Sequence, residues 1–194
     1  LPSINCRSDW FAREAFVPDS DMGISFRLPW EADWLNSLRC LCRGNVQRRS
    51  MAERQIYLVR HGVAEDVSST GADFDRALTA TGRLQMQAAA VGLGRLGVQP
   101  GFLLASPYVR AQETAEVLAE QLHPDHRGTW DELGCGGDSD AVLRKIKALD
   151  PGQHVMLVGH EPDMGLLLSL SLTGTTDGFW SHFRKGAVAC LSAG

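Results

Sequence analysis

The sequence predicts an α/β protein, a three-layer α/β/α sandwich built on a mainly parallel central sheet. Two observations carry this expectation. Short, β-favouring apolar runs occur as continuous stretches rather than as alternating ones, which is the pattern of strands buried on both faces. Between them lie longer stretches with helical start and stop signals, and strands alternating with helices imply a layered sheet with crossover helices.

The first strand is Gln55-Ile-Tyr-Leu-Val59, the second Gly101-Phe-Leu-Leu-Ala105, and the third His154-Val-Met-Leu-Val158. Thr79 to Leu96 reads as a helix opened by a threonine cap and closed near Gly97. Tyr108 to Leu122 is the next helix, and Asp138 to Leu149 follows it after a loop. A last helix over Asp163 to Leu172 and a final strand over Ala187 to Leu191 complete the layers. No internal repeat or low-complexity tract interrupts the order.

At 194 residues with 44% hydrophobic and 22% charged side chains, the composition is that of an ordinary globular domain. A core of that size does not depend on disulfides or a structural metal, so the five cysteines need no structural explanation. The net charge of -4 and the lack of a sustained Lys/Arg cluster argue against nucleic acid or an anionic membrane as partner. Any bound anion must therefore be met by a local pocket. No run reaches the roughly 18 to 20 apolar residues of a membrane span. The longest candidate, Met164 to Leu172, reads as a buried helix, and the expectation is a soluble, cytoplasmic monomer.

The chain divides at Met51. Residues 1–50 carry seven Arg against six Asp/Glu, and the remainder carries twelve Lys/Arg against seventeen Asp/Glu. Trp10, Trp30, Trp34, Cys6, Cys40 and Cys42 fall in the first part, which shows neither strand alternation nor a helical stripe. It lacks the basic start and apolar centre of a secretion signal. Residues 1–50 are read as an N-terminal extension, disordered or upstream of a start at Met51, and residues 51–194 as the working domain. Cys40-x-Cys42 has no second Cys/His pair at zinc-finger spacing, so no metal is expected.

In a mainly parallel sheet, ligands bind at the carboxyl ends of the strands. The first strand runs into Arg60-His61-Gly62, the second into Ser106-Pro107 with Arg110 one helical turn on, and the third into Gly159-His160-Glu161-Pro162. Each residue taken alone has a structural reading, as a hydrogen-bonded histidine or a surface arginine. Two histidines and two arginines at three separate strand ends point instead to an anion site. The guanidinium fork matches phosphoryl oxygens, and helix N-termini after Ser106 and Pro162 add oriented N–H groups. No Walker A loop is present.

Arg60-His61-Gly62, Leu78-Thr79-x-x-Gly82-x-x-Gln85, Ser106-Pro107-x-x-Arg110-Ala111-x-x-Thr114-Ala115 and Gly159-His160 together resemble the histidine phosphatase superfamily, which has a phosphoglycerate mutase-like fold. The resemblance extends from about Met51 to the C-terminus. Arg76-x-Leu78-Thr79 and Val158-Gly159-His160-x-Pro162 resemble most the SixA phosphohistidine phosphatase branch. It implies that His61 is the nucleophile, forming a covalent phosphohistidine that water hydrolyses, and that Arg60, Arg110 and His160 hold the phosphoryl oxygens. Arg76 matches a further phosphate-contacting arginine. No cofactor is implied.

Most relatives protonate the leaving alcohol with a Glu or Asp. Glu132 is the first candidate here, with Glu65 and Asp66 behind it and a solvated loop carboxylate as the competing reading of Glu132. Phosphohistidine protonated on its ring departs as neutral imidazole, a far weaker base than an alkoxide, and needs no such donor. The short interval from Arg110 to His160 leaves no room for a lid, so an open pocket is expected, suited to a phosphohistidine-bearing protein such as a phosphotransfer domain. The competing readings are a small-molecule phosphomonoesterase of the same superfamily and a non-catalytic phosphate-binding module.

Overall fold

The computed structural model describes residues 54–150 and 152–193, so the expectations for residues 1–50 lie outside the described residues. In chain order the elements are β1 (Arg54–Arg60), α1 (Ala80–Arg95), β2 (Phe102–Ala105), α2 (Val109–Leu122), β3 (His126–Thr129), α3 (Ser139–Ala148), β4 (Val155–Gly159), α4 (Asp163–Thr173) and β5 (Val188–Ala193). Two 3-10 turns, Asp73–Asp75 and Asp131–Leu133, lie between them.

The five strands form one sheet in the order β3-β2-β4-β1-β5. All pairings are parallel except that of β1 with β5, which is antiparallel. The continuous apolar character of Val155 to Gly159 has its physical reason here: β4 is central and every residue in it is buried. The interval read as a loop after α2 contains β3. Its sequence, His-Arg-Gly-Thr, lies at the sheet edge and is exposed throughout, so it has no apolar run to betray it.

Side chains alternate between the two faces, as the strand pleat requires. Tyr57, Val59, Leu103, Ala105, Met156 and Val158 pack with Met86, Leu93, Ala111 and Leu118 of α1 and α2. Ile56, Leu58, Leu104, Val155 and Leu157 pack on the opposite face with Val142 and Ile146 of α3 and Met164 and Leu167 of α4. These are the three layers. Emptying the centre by Leu157→Ala is expected to cost about 2 to 5 kcal/mol, the range for truncating a fully buried leucine.

Caps fix where the helices begin. Thr79 accepts a hydrogen bond from the Gly82 N–H at 2.9 Å, and Asp138 accepts one from Ala141 at 3.0 Å. The start of α1 is also pressed onto the turn that follows β1. A methyl group on Gly82 would collide with the Val63 carbonyl, and one on Gly62 would lie 2.8 Å from the Met86 side chain. The two glycines of the Arg60-His61-Gly62 and Thr79-x-x-Gly82 motifs thus serve one close approach. Glu113 of α2 adds a tie, accepting from the Leu78 N–H and pairing with Arg83 at 2.7 Å.

Candidate active site

The topology sets the site. α1 and α2 lie on one face and α3 and α4 on the other, so the connections leave β1 and β4 toward opposite sides and open a crevice at their carboxyl ends. Arg60 and Gly159 are register partners in adjacent strands, so His61 and His160 are the next residues of each. The His61 N–H donates to the Gly159 carbonyl at 3.0 Å, and the two rings stand 5.1 Å apart between centroids. On the other side of β4, the Ser106 N–H donates to the Val158 carbonyl at 2.9 Å and brings the end of β2 to the same edge.

Both imidazoles are buried, His61 being 4% exposed and His160 2%. The His61 Nδ1 lies 2.7 Å from the Gly62 carbonyl, which can only accept, so Nδ1 carries the proton and Nε2 presents its lone pair. Burial pushes the His61 pKa down to about 4; the Gly62 carbonyl opposes this, while the charges of Arg110, Arg60 and Lys185 reinforce it. His61 is therefore a neutral imidazole at neutral pH.

His160 is fixed in the complementary way. The Ser106 hydroxyl oxygen accepts the Tyr108 N–H at 3.3 Å and stands 2.7 Å from His160 Nε2. Where that hydroxyl donates to Nε2, the ring proton is on Nδ1, a buried atom without a hydrogen-bond partner among the described residues. Burial first, then the neighbouring His61 and Arg110, push the His160 pKa down to about 3. A neutral ring with a free N–H can donate to an oxyanion without bringing a proton that titrates near neutrality.

Arg110 lies in the first turn of α2, its side chain 4% exposed. Its Nη1 donates to the Asp73 carbonyl oxygen at 2.7 Å, its Nη2 pairs with Asp73 Oδ2 at 3.0 Å, and the guanidinium lies 4.7 Å from the centre of the Tyr108 ring. Arg76 Nε lies 2.9 Å from Asp73 Oδ1, a charge contact without hydrogen-bond geometry. Arg60 donates from Nη1 to the Phe183 carbonyl, while its Nε is buried and has no hydrogen-bond partner among the described residues, as is true of the Nε of Arg110. Desolvation lowers the Arg60 pKa, partly offset by Glu161.

The structure thus gathers Arg60, His61, Arg110 and His160 at one sheet edge and links Arg76 to Arg110 through Asp73. Glu132 has an ion-pair partner of its own. It lies in the second 3-10 turn, and its carboxylate pairs with Lys145 of α3 at 2.6 Å, which holds it below its ordinary pKa. Tyr108, Asp73 and Lys185 were not anticipated. Tyr108 falls beside the Ser106-Pro107 motif and its ring packs edge-on against His160 at 4.8 Å. Asp73 carried only one signal, its position three residues before Arg76. Lys185 reaches the site from the segment ahead of β5, where the Gly186 N–H donates to the carbonyl oxygens of Arg60 and His61.

Among the described residues no group of three His, Cys, Asp or Glu side chains is arranged to hold a metal ion, and no helix is long and apolar enough to cross a membrane. Two neutral imidazoles and several guanidinium groups stand together at the strand ends of an α/β sheet. The family model for the histidine phosphatase superfamily (branch 1) matches residues 56–139. An uncharacterised protein of Picosynechococcus is 32% identical over 142 residues, covering 72% of this chain and 86% of the relative. The structure of the protein histidine phosphatase SixA complexed with tungstate superposes with a TM-score of 0.64 at 28% identity, covering 70% of this chain and 86% of that one. The mitochondrial serine/threonine-protein phosphatase Pgam5 of Drosophila ananassae is 42% identical over 72 residues, 37% of this chain, and the matched part is 24% of that relative's length. The chain belongs to the histidine phosphatase superfamily, similar within it to the SixA branch, and is a phosphatase by family and fold.

Proposed function

We propose that the protein removes the phosphoryl group from phosphohistidine on a protein, through a covalent phosphohistidine at His61. Nε2 of His61 attacks phosphorus, the bond from phosphorus to the substrate's ring nitrogen breaks, and the substrate leaves as neutral imidazole, already protonated on its other nitrogen. Water then attacks phosphorus, the phosphorus–Nε2 bond breaks, His61 is released as neutral imidazole, and phosphate departs with both protons of that water, yielding one to solvent. Arg110, Arg60 and the Nδ1–H of His160 hold the phosphoryl oxygens and stabilise the charge that spreads over them, with Arg76 adding charge at the rim.

The observation that carries this reading is the state of the ionisable groups. His61 is neutral with its lone pair on Nε2, while two carboxyls are poor acids: Glu132 is held ionised by Lys145, and Asp73, although desolvation is the largest single influence on it and raises its pKa, is brought below its ordinary value by Arg110 and Arg76 together. A site with a ready nucleophile, whose Glu132 and Asp73 carboxyls are both held ionised, favours a leaving group that needs no proton; Asp163, whose carboxyl burial pushes up, is enclosed at the start of α4 and accepts the Gly136 N–H at 3.0 Å. The similarity to SixA supports the same substrate class.

Turnover of a phosphohistidine-bearing phosphotransfer domain, compared with p-nitrophenyl phosphate and sugar phosphates, tests the proposal. Preference for the phosphoprotein is expected; efficient hydrolysis of sugar phosphates with no action on phosphohistidine would exclude it.

A further inference from the structure

Arg110 and Asp73 are an unequal pair. The arginine side chain is 4% exposed, set 4.7 Å from the centre of the Tyr108 ring and 3.5 Å from the Cys135 Sγ, whereas the aspartate side chain is 60% exposed on a 3-10 turn of three residues, none of them buried. One partner cannot move and the other can rotate into water. The carboxylate nevertheless engages both Arg110 and Arg76, the two arginines between which it lies. Its two oxygens thus stand against guanidinium groups as two oxygens of a phosphoryl group would.

We propose that Asp73 is an internal competitor for the oxyanion: a phosphoryl group takes Arg110 and Arg76 by displacing the Asp73 carboxylate, and the carboxylate retakes them as phosphate leaves. This rests on the reading of Arg110 and Arg76 as phosphate ligands. The exchange is one anion for another on fixed donors. Arg110 is never left buried without a counter-charge, a strongly unfavourable state for an enclosed ion. The backbone carbonyl of Asp73, 2.7 Å from Arg110 Nη1, keeps the guanidinium oriented while the side chain is away. Product release is then assisted by repulsion between the returning carboxylate and inorganic phosphate, and the site trades affinity for turnover.

A strut that merely positions Arg110 would have the opposite signature. Neutralising a strut weakens anion binding, whereas neutralising a competitor tightens it. Tungstate and inorganic phosphate binding to the whole chain, measured by calorimetry at neutral pH, reads the sign directly. Asp73→Asn and Asp73→Ala are expected to tighten both anions about threefold to tenfold, the range for an ion pair with one exposed partner, and the gain should shrink as salt is raised. Unchanged or weaker binding in both variants, with wild-type binding intact and abolished by Arg110→Ala, overturns the competitor and leaves the phosphate site standing. Wild-type binding that Arg110→Ala does not alter overturns the underlying assignment as well.

Discussion

The floor of the site and its rim are built on different principles. The floor consists of His61, Ser106 and His160, each directly following a buried parallel strand, with backbone hydrogen bonds that continue the ladders beyond the strands. The rim consists of the Asp73–Asp75 turn, the Asp131–Leu133 turn and the segment ahead of β5, held by ion pairs and single carbonyl contacts. The floor fixes which nitrogen is free and which is protonated. The rim supplies charges that can exchange. Reactivity is therefore tied to the core, and affinity to its edge.

The sharpest way to break this division is to remove the floor's lone pair. His61→Ala is expected to abolish phosphoryl labelling and to lower turnover by at least about a thousandfold, as removal of a nucleophile does elsewhere. Wild-type protein that turns over without ever carrying phosphate would end the covalent mechanism. Arg110→Ala, which removes a buried cation from the edge of the floor, should lower kcat/KM by about a hundredfold to a thousandfold, and steady-state kinetics on the preferred substrate will read it.

Next in size is an effect on stability. The folded pKa values of His61 and His160 lie at about 4 and about 3, below the roughly 6.5 of an unfolded histidine. Between those limits the unfolded chain binds more protons than the folded one, so stability falls as pH drops from 6.5 toward 4, by up to about 1.4 kcal/mol per pH unit for each ring. Urea unfolding at pH 7 and pH 4.5 measures this. A His160→Gln variant should show a shallower dependence, and an identical slope would mean that burial does not hold this ring neutral.

Smaller effects test the floor's internal wiring and the rim's irrelevance to proton donation. Ser106→Ala frees the tautomer of His160 and is expected to lower kcat about tenfold, the loss of one orienting hydrogen bond of about 1.4 kcal/mol, with Ser106→Thr restoring part of it. Glu132→Gln should change phosphohistidine turnover by less than about threefold, since its charge is spent on Lys145. A large loss in Glu132→Gln would make it the acid after all and move the substrate toward phosphate esters.

Legibility in the sequence follows the same division. His61, Ser106 and His160 could be placed because each lies within two residues of the end of a continuous apolar run, which marks a buried strand and its carboxyl end. Arg110 could be placed because Ser106-Pro107 opens a helix of known phase. β3 was hidden, since an exposed edge strand of polar residues owes its form to the hydrogen bonds of β2 rather than to its own pattern. Asp73 and Lys185 were hidden for a related reason. Their positions depend on where loops return in space, which neither period nor composition encodes. Glu132 was legible as a carboxylate after the central helix, while its pairing with Lys145, thirteen positions later, was not.

The contact between Gly82 and the Val63 backbone has a consequence in time. It joins the turn that carries His61 to the first turn of α1, with Thr79 N–H donating to the Val63 carbonyl at 2.9 Å. The amides of His61, Gly62 and Gly82 are therefore expected to exchange their hydrogens only in rare, near-global openings, while those of Phe74 and Asp75 exchange in frequent local ones. The attacking nitrogen keeps the slow clock of the core, and the anion beside it keeps the fast clock of the solvent.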